Sequence, residues 1–529
     1  MQYIKSRDFS HRKEDISKTS FHSSILSTAN ATMTEILNLS YGQYSNSTIT
    51  HLYNFQESQI PYTKDTKLNH QLSTFLYRSV TSQGSSSANY YPRALLFDLR
   101  GGLGALNKYE YAEEVPHLNM PIVNQDPTQL QKNEYQKSLD QGETNASLLN
   151  TSNTKYWTDY NKLIYNPKSI VTLPSYQHQY NDFGTNYNLP AQKFHLYSTG
   201  QHEFKSIESE SVENFRYWLE KCDHLLGLQV GTTIDDSWSG FTTSMIEVVQ
   251  DEFFNNKENI WIYGQYNHAL AEKQSLVNKV SQIKSFIELY KSLSLFIPLC
   301  PDYNSSMISN LDLGSIWHTS CVPAIFINLI WGVNNQYVDQ VNMFHMQENL
   351  LRGDEARKIV NEVKIVGEEA IDGVADPMMM MTDLDLTKVR DLSTLTAQVP
   401  KLEINLGISK SMGNVRYINK NFINDKKVEA NSPTSNDETP TNVYTNPYMS
   451  KMTEIDTFPN ILNDNKFHIE FNVHTGIKDY LKPRKKLVEN LRLNLDDLVE
   501  DKAELVEDIS NIILSYSSGF ESDEDDYYD

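Results

Sequence analysis

The chain has 529 residues, of which 39% are hydrophobic, so at about 150 residues per domain it holds two to four domains with sizeable cores. Its 46 Lys and Arg against 68 Asp and Glu give a formal net charge of −22, which argues against general nucleic-acid binding because phosphate contacts need a basic surface. The three cysteines are far apart in sequence and exclude a disulfide scaffold or a Cys-rich zinc module.

The first 32 residues are rich in Ser and Thr and show no apolar periodicity, so residues 1–32 are predicted to be a disordered extension. A cleavable mitochondrial presequence is the alternative, since such segments are rich in Arg and Ser and poor in acids. Asp8, Glu14 and Asp15 argue against that alternative.

The following region alternates short apolar runs with helix-like spacings. Glu35–Tyr41 and Ala94–Leu99 suit buried parallel strands, and apolar residues between Thr48 and Val80 recur mostly at helix spacing. Further strands are predicted at 169–173, 225–230 and 259–264, and helices at 212–222, 241–253 and 270–293. This order predicts an α/β domain over residues 33–297, with a disordered, Asn- and Gln-rich insertion at about 124–155.

A second α/β domain is predicted over residues 298–480. It holds the apolar run Cys321–Val333, which is too short to span a bilayer and indicates a buried strand or helix. An alternating strand is predicted at His468–Val473, and an Asn/Pro/Thr-rich segment at about 424–450 is predicted to be a disordered loop.

The chain is predicted to end with C-terminal helices over 481–518, beginning just after Pro483, and an acidic tail over 519–529. The block of like charge in the tail is typical of a solubilising end. A docking role for basic partners is the alternative.

Three segments at predicted strand ends resemble the nucleotide-binding half of tubulin. They are Gly42-Gln-Tyr-Ser-Asn46, Pro92-Arg-Ala-Leu-Leu-Phe-Asp-Leu99 with the glycine loop that follows it, and Cys222-Asp-His-Leu-Leu-Gly-Leu-Gln229. Strand ends are where α/β folds place their ligands. The resemblance implies a Rossmann-like parallel sheet with flanking helices over residues 33–297, then a second α/β domain and C-terminal helices.

Four further segments more specifically resemble a fungal member of the Misato family, tubulin-like proteins linked to mitochondrial partitioning and mitochondrial DNA inheritance. They are Trp157-Thr-Asp-Tyr160, Asn166-Pro-Lys-Ser169, Ile234-Asp-Asp-Ser-Trp-Ser-Gly-Phe241 and Thr457-Phe-Pro459. The resemblance implies a peripheral or associated mitochondrial location with a cytoplasmic pool. It also implies protein partners of the cytoskeleton or mitochondrial surface. No direct DNA binding and no transmembrane segment are expected.

The resemblance to tubulin implies a degenerate nucleotide cleft formed by Gly42, Gln43, Asn46, Asp98, Gly101, Gly102, Asp235, Asp236 and Gly240. Tubulin's phosphate loop is Gly-Gly-Gly-Thr-Gly-Ser-Gly, whereas this chain has Asp235-Asp-Ser-Trp-Ser-Gly-Phe241. A carboxylate about 4 Å from a phosphate oxygen is repelled by about 4 kcal/mol at an effective dielectric constant of about 20. Asp235 and Asp236 are therefore predicted to cap a helix that begins near Phe241, filling the phosphate site. The alternative is that one of them binds Mg²⁺ beside a nucleotide.

Other differences from the tubulin sequence also argue against a working nucleotide site. Arg100 stands where tubulin has an acidic residue that helps to place the metal, and it could instead pair with Asp98 or contact an anion. The loop of Gly101, Gly102 and Gly104 is predicted to be a tight turn, with an anion nest as the alternative. Ser45 replaces a glycine and is expected to narrow the approach to the cleft.

Gln43 and Asn46 keep the residue types found in tubulin, so residual contact with a guanine nucleotide stays open. The sequence predicts a catalytically silent interaction scaffold that holds no cofactor and no metal. The alternative is a divergent GTP-binding, filament-forming GTPase. A metabolic or nucleic-acid enzyme is disfavoured by the charge and by the lack of catalytic motifs in the sequence.

Overall fold

A computed structural model describes the residues 35–61, 69–80, 88–112, 130–254, 259–273, 275–301, 303, 308–337, 340–351, 353–367, 383–385, 414–419, 441–446, 449–462, 467–473, 476–491 and 502–517. The first part of the chain forms β1 Glu35–Tyr41, α1 Gly42–Ser58, β2 Leu76–Val80, β3 Ala88–Pro92, β4 Ala94–Arg100, α2 Glu134–Asp140, β5 Ile170–Gln177, β6 Thr185–Asn186, α3 Tyr197–Leu219, β7 Leu225–Thr233, α4 Trp238–Phe253, β8 Asn259–Gln265, α5 Leu276–Lys291 and β9 Leu295–Leu299. The second part forms α6 Ile316–Asn334, α7 Met343–Leu351, β10 Glu362–Gly367, β11 Asp383–Asp385, β12 Asn414–Asn419, β13 Thr441–Asn446, β14 Phe467–Asn472, α8 Ile477–Glu489 and α9 Lys502–Ser515.

A seven-stranded sheet of order β6-β5-β4-β1-β7-β8-β9 forms the centre of the first part. All its neighbouring strands pair in parallel except β5 and β6. Every residue of β1, β8 and β9 is buried, as expected for strands covered on both faces. Helix α1 packs between the sheet and α6, and α3 packs on α4. The predicted α/β class with a parallel sheet and flanking helices is confirmed.

A five-stranded, mostly antiparallel sheet of order β11-β10-β14-β12-β13 follows in the second part. The apolar run predicted as a buried strand or helix lies in α6, which begins at Ile316 and ends at Asn334. By length and composition α6 could span a membrane, but 94% of its most apolar window is buried inside the protein. Such burial is typical of a core helix. The cysteines Cys222, Cys300 and Cys321 are free thiols.

The prediction of a disordered insertion at about 124–155 is wrong for residues 130–155. Asn133 caps α2 in a capping box with Gln136, and the ring of Tyr135 is fully buried. Tyr135, Leu139 and Leu149 form a small separate core with Tyr160 and Trp317. The composition is misleading here because the Asn and Gln side chains serve as caps and backbone partners, while only three apolar side chains anchor the segment.

Four boundaries also differ from expectation. Helix α1 begins at Gly42, ahead of the predicted Thr48, and residues 76–80 form a strand paired with β3 instead of continuing a helix. Strand β9 extends to Leu299, two residues past the predicted domain boundary. Helix α8 begins at Ile477, so Pro483 lies inside it and does not precede it.

Three predictions of disorder fall largely outside the described residues. Residues 1–32 and the acidic tail 519–529 are not among the residues that the structure describes, nor are residues 424–440. Residues 441–446 of the predicted loop form β13, which pairs with β12, so the prediction of disorder is wrong there.

Candidate functional site

A buried carboxylate, that of Asp98, lies at the carboxyl end of β4 under the first turn of α1. It accepts hydrogen bonds from Gln43 Nε2 (2.8 Å), Asn46 Nδ2 (3.2 Å), Trp157 Nε1 (2.9 Å) and its neighbour Leu99 N–H (2.8 Å). Asp98 is 1% exposed. Burial raises its pKa from 3.8 to about 7, although the four hydrogen bonds oppose that shift. Asp98 thus joins β4, α1 and the segment that carries Trp157.

The glycine loop after β4 folds back over this carboxylate. Gln43 Nε2 also donates to the carbonyl of Gly102, and a Cβ at Gly102 would collide with the Asp98 carboxylate. Gly102 N–H donates to Leu99 O (2.9 Å) and Gly104 N–H to Gly101 O (3.3 Å). Because these two amides are bonded within the loop, the geometry favours the tight turn over the anion nest.

The N-terminus of α4 is capped by a side chain of the chain itself. Asp236 Oδ1 accepts hydrogen bonds from the backbone N–H of Trp238 (2.9 Å) and from Thr233 Oγ1 (2.5 Å). Asp236 therefore holds the first amide of α4, although Ser237 is the N-cap residue, and the helix begins at Trp238 and not near Phe241. Burial raises the pKa of Asp236 to about 6, so at neutral pH a negative charge lies at the positive end of the helix.

Asp235 faces a different part of the fold. Its Oδ2 accepts a hydrogen bond from the backbone N–H of Asn267 (3.0 Å), in the segment that follows β8. The expectation that both acidic residues cap α4 is corrected, because adjacent residues in this turn direct their side chains to different neighbours.

An indole occupies the space next to the first turn of α1. Gly42 has φ +83°, and a Cβ there would run into the indole of Trp238. The same ring packs edge-on against Phe194 at a centroid distance of 5.0 Å. From the sequence, Trp238 could be identified only as an indole within the segment that replaces tubulin's phosphate loop. The signal that could have found this contact is a combination of two residues. The bulky Trp238 lies at the start of α4, and Gly42, which tubulin also has, lies at the start of α1.

A cleft lies at the carboxyl ends of the central strands. The cleft is lined by Gln43, Tyr44, Asp98, Leu99, His178, Gln179, Asn181, Asp182, Phe183, Gly184, Phe194, Thr233, Asp236, Trp238, Asn267, Leu270 and Ile316. None of these described lining residues is Lys or Arg. Burial lowers the pKa of His178 to about 4, so this ring is neutral at pH 7. At the rim, Asp182 pairs with Lys193 (3.7 Å) and Lys273 (3.4 Å).

Several predicted site residues lie elsewhere. Gly240 is inside α4, and a Cβ there would collide with the carbonyl of Tyr197 in α3, which corrects the prediction that it lines the cleft. Ser45 Oγ bonds Ser40 Oγ (2.9 Å) and lines a separate internal cavity, so it does not narrow the approach as expected.

The remaining predicted site residues lie close to the carboxyl ends of β1 and β4. Asn46 Nδ2 donates to Phe97 O (3.0 Å) as well as to Asp98, and Gly101 adopts φ +79° in the turn after β4. The guanidinium of Arg100 lies over the ring of Tyr187, 4.5 Å from its centroid, and forms no ion pair with Asp98. Within the described part of the chain, no group of three or more His, Cys, Asp or Glu side chains is placed to hold a metal ion.

The segment Trp157–Tyr160 stabilises the site. From the sequence, this segment could be identified only as part of a family resemblance. Besides the indole bond to Asp98, Thr158 Oγ1 donates to Leu103 O (2.9 Å), which holds the glycine loop. Tyr160 OH donates to Ser47 O (3.2 Å) on α1. The segment thus fixes both the loop and the helix that contact Asp98.

The fold and the cleft define a class, the tubulin-like proteins. Residues 146–331 match the tubulin domain, and residues 34–155 match the Misato Segment II tubulin-like domain. Protein DML1 of Candida albicans is 41% identical over 583 aligned residues, which cover 94% of this chain and 100% of that protein. Proteins of the same name from Debaryomyces hansenii and Scheffersomyces stipitis are each 36% identical, covering 94% and 93% of this chain and 99% and 100% of theirs. The chain belongs to the Misato family, which confirms the predicted resemblance.

Proposed function

We propose that the chain is a non-catalytic interaction scaffold that takes part in the partitioning of mitochondria and the inheritance of mitochondrial DNA. The observation that carries the non-catalytic part is the Asp236 carboxylate at the N-terminus of α4. The mitochondrial part rests on the Misato family resemblance of the sequence.

The residues of the cleft do not fit a nucleoside triphosphate. Proteins hold phosphate with helix N-termini, free backbone amides and cationic side chains. Here the first amide of α4 is bonded to Asp236, and two amides of the glycine loop are bonded within the loop. The indole of Trp238 lies against Gly42, and the described lining carries carboxylates without Lys or Arg. Each carboxylate about 4 Å from a phosphate oxygen would add about 4 kcal/mol of repulsion at an effective dielectric constant of about 20.

A divergent GTP-binding, filament-forming GTPase is the second candidate. It is favoured by Gln43 and Asn46, which keep their tubulin-like identities at the β1–α1 junction.

Nucleotide content separates the two candidates. We expect the purified full chain to carry no guanine nucleotide by chromatography of the denatured protein, and to show no calorimetric binding of Mg-GTP up to millimolar concentration. Sedimentation with and without GTP should give the same pelleted fraction. Micromolar binding with hydrolysis that Asp236→Ala alters and Asp251→Asn does not would establish the GTPase. Asp251 is an exposed carboxylate near the far end of the same helix.

We also propose a peripheral mitochondrial location, a cytoplasmic pool and protein partners at the cytoskeleton or the mitochondrial surface. The buried position of α6 supports peripheral association, because its apolar face is already used inside the protein. Alkaline carbonate should release a C-terminally tagged chain from isolated mitochondria, and deletion of residues 1–32 should leave its association unchanged. Retention in the carbonate pellet would contradict peripheral attachment, and loss of association on deletion would make residues 1–32 the targeting segment.

A further inference from the structure

The cleft presents two carboxylates without a cationic partner, one buried and one half-buried. Asp98 and Asp236 both line it, and in the part of the chain that the structure describes neither forms an ion pair with Lys or Arg. The two lysines at the rim are engaged by a third carboxylate, that of Asp182. Buried charges are normally paired, because an isolated charge in a low dielectric is unfavourable.

The cleft also contains polar atoms that lack hydrogen-bond partners. Among the described residues, Gln43 Oε1, Asn181 Oδ1 and His178 Nε2 are buried and unbonded. Gln43 is 9% exposed, and its amide nitrogen is held by Asp98 and Gly102, so its oxygen is fixed as an acceptor. Asn181 is oriented in the same way by its bond to Gly314 O (2.6 Å). Two fixed, unbonded amide oxygens that line the same cleft as two carboxylates favour a ligand that donates hydrogen bonds.

Aromatic side chains complete the cleft. Trp238, Phe194 and Phe183 line it on the side of α4 and of the segment before α3. Aromatic faces attract ammonium and guanidinium groups through the ring quadrupole, and they offer nothing to a hydrated metal ion. Carboxylates, acceptor oxygens and aromatic faces in one cleft together favour an organic cation as the ligand.

We propose that this cleft binds a guanidinium or primary ammonium group, which pairs with Asp98 and Asp236 and donates hydrogen bonds to the amide oxygens of Gln43 and Asn181. The proposal rests on the proposed function, since a site filled by a nucleotide would already hold an anion and its metal. Two sources share this chemistry. One is a free amine or guanidine, and the other is an Arg or Lys side chain of a protein partner.

The test uses the full chain in isothermal titration calorimetry with three probes: agmatine, the blocked tripeptide acetyl-Gly-Arg-Gly-amide, and the same tripeptide with citrulline in place of Arg. Citrulline keeps the shape of Arg but replaces the guanidinium by a neutral urea. We expect agmatine and the Arg peptide to bind, and the citrulline peptide to bind at least tenfold more weakly. Tighter binding of the peptide than of agmatine supports a partner's side chain, and the reverse order supports a free small molecule.

Variants of the two cleft carboxylates, with a matched control, test whether agmatine binds in this cleft. Asp236→Asn keeps an oxygen for the Trp238 amide and removes the charge, so it should weaken agmatine binding at least tenfold, and Asp98→Asn should act in the same direction. Asp251→Asn on the same helix should leave the affinity unchanged. Circular dichroism of each variant establishes that it is folded, and Asp236→Asn alone suffices if Asp98→Asn does not fold.

Three results would overturn the proposal: no binding of agmatine or the Arg peptide, equal affinity for the Arg and citrulline peptides, or an affinity for agmatine that Asp236→Asn does not change. A GTP titration run in parallel separates this outcome from failure of the proposed function. If neither agmatine, the Arg peptide nor GTP binds, only the cation site is refuted. If GTP binds, the nucleotide-free scaffold is refuted.

Discussion

The indole N–H of Trp157 donates to the buried carboxylate of Asp98 at 2.9 Å, joining residues 59 positions apart in the chain. Both side chains are almost fully buried, with exposures of 1% each. This bond ties the segment after α2 to the end of β4, where the candidate site is built.

Removal of that donor should destabilise the fold. Trp157→Phe keeps an aromatic ring but leaves the carboxylate with one bond fewer, and a hydrogen bond to a charged group contributes about 1.5–3 kcal/mol. We expect the free energy of unfolding in urea to fall by about 2 kcal/mol. In an Asp98→Asn background the same change should have a smaller effect, and equal losses in both backgrounds would show that the bond does not matter. Trp317→Phe, which removes a donor to the neutral carbonyl of Thr457, should lower the free energy by only about 1 kcal/mol and serves as the matched control.

The close packing of the Trp238 indole against Gly42 leads to a second prediction. Gly42→Ala adds a methyl group that meets the indole, at a position with φ +83°. We expect a loss in free energy of unfolding of about 3 kcal/mol, from backbone strain of about 1–2 kcal/mol and from overpacking. Gly142→Ala has nearly the same φ, +81°, but no atom near the new Cβ, so only the backbone strain should appear. In a Trp238→Ala background, Gly42→Ala should cost only the backbone strain, and an undiminished loss there would rule out the steric explanation.

The cap on α4 should control anion affinity. Asp236→Gly frees the Trp238 amide and removes a carboxylate from the cleft, so pyrophosphate and GTP should bind at least tenfold more tightly than to the parent chain. Asp235→Gly should change the affinity much less, because Asp235 faces Asn267. Calorimetric titration of both variants checks this difference. Equal gains would show that the distinction between the two carboxylates is wrong.

The contribution of Asp98 to stability should fall as the pH rises through the range in which this group ionises. Its folded pKa of about 7 lies above the value of about 3.9 for an unfolded Asp, so between these values the folded chain binds more protons than the unfolded chain. The stabilisation from the protonated form is therefore full at low pH and is lost as the pH rises through the folded pKa. From pH 5 to pH 8 this group should lower the free energy of unfolding by about 3 kcal/mol.

Urea unfolding at the two pH values checks the size of this change. Relative to the parent chain, Asp98→Asn should shift the change in free energy of unfolding between pH 5 and pH 8 by about 3 kcal/mol toward higher stability at pH 8. Buried histidines such as His178, whose pKa is lowered, contribute in the opposite direction in both chains, and Asp251→Asn should leave the change as it is in the parent. The same direction holds for Asp236, whose pKa is raised to about 6. An Asp98→Asn variant that keeps the parent's full pH dependence would assign the effect to other groups.

Local sequence patterns determined much of the first part of the fold. Glu35–Tyr41 and Ala94–Leu99 could be predicted as buried parallel strands because most of their side chains are apolar, although the polar Asn38 lies at the centre of β1. The glycine turn and the acidic cap of α4 could be predicted for the same reason, since turns and caps depend on residues close in sequence. The order of residues 130–155 could not, because it depends on Tyr135 reaching Asp456 Oδ2 (2.7 Å), 321 positions away.

The candidate site likewise combines features that could be predicted from the sequence with features that could not. The sequence by itself determined the α/β class, the acidic character of the cleft and the family. Only the tertiary structure decided that Asp236 faces the cleft and Asp235 does not, that Gly240 serves a helix contact, and that Trp157 bonds Asp98. Side-chain direction in a loop is set by which distant groups pack around it. Neighbouring residues of identical type can therefore have different partners, and no local pattern distinguishes them.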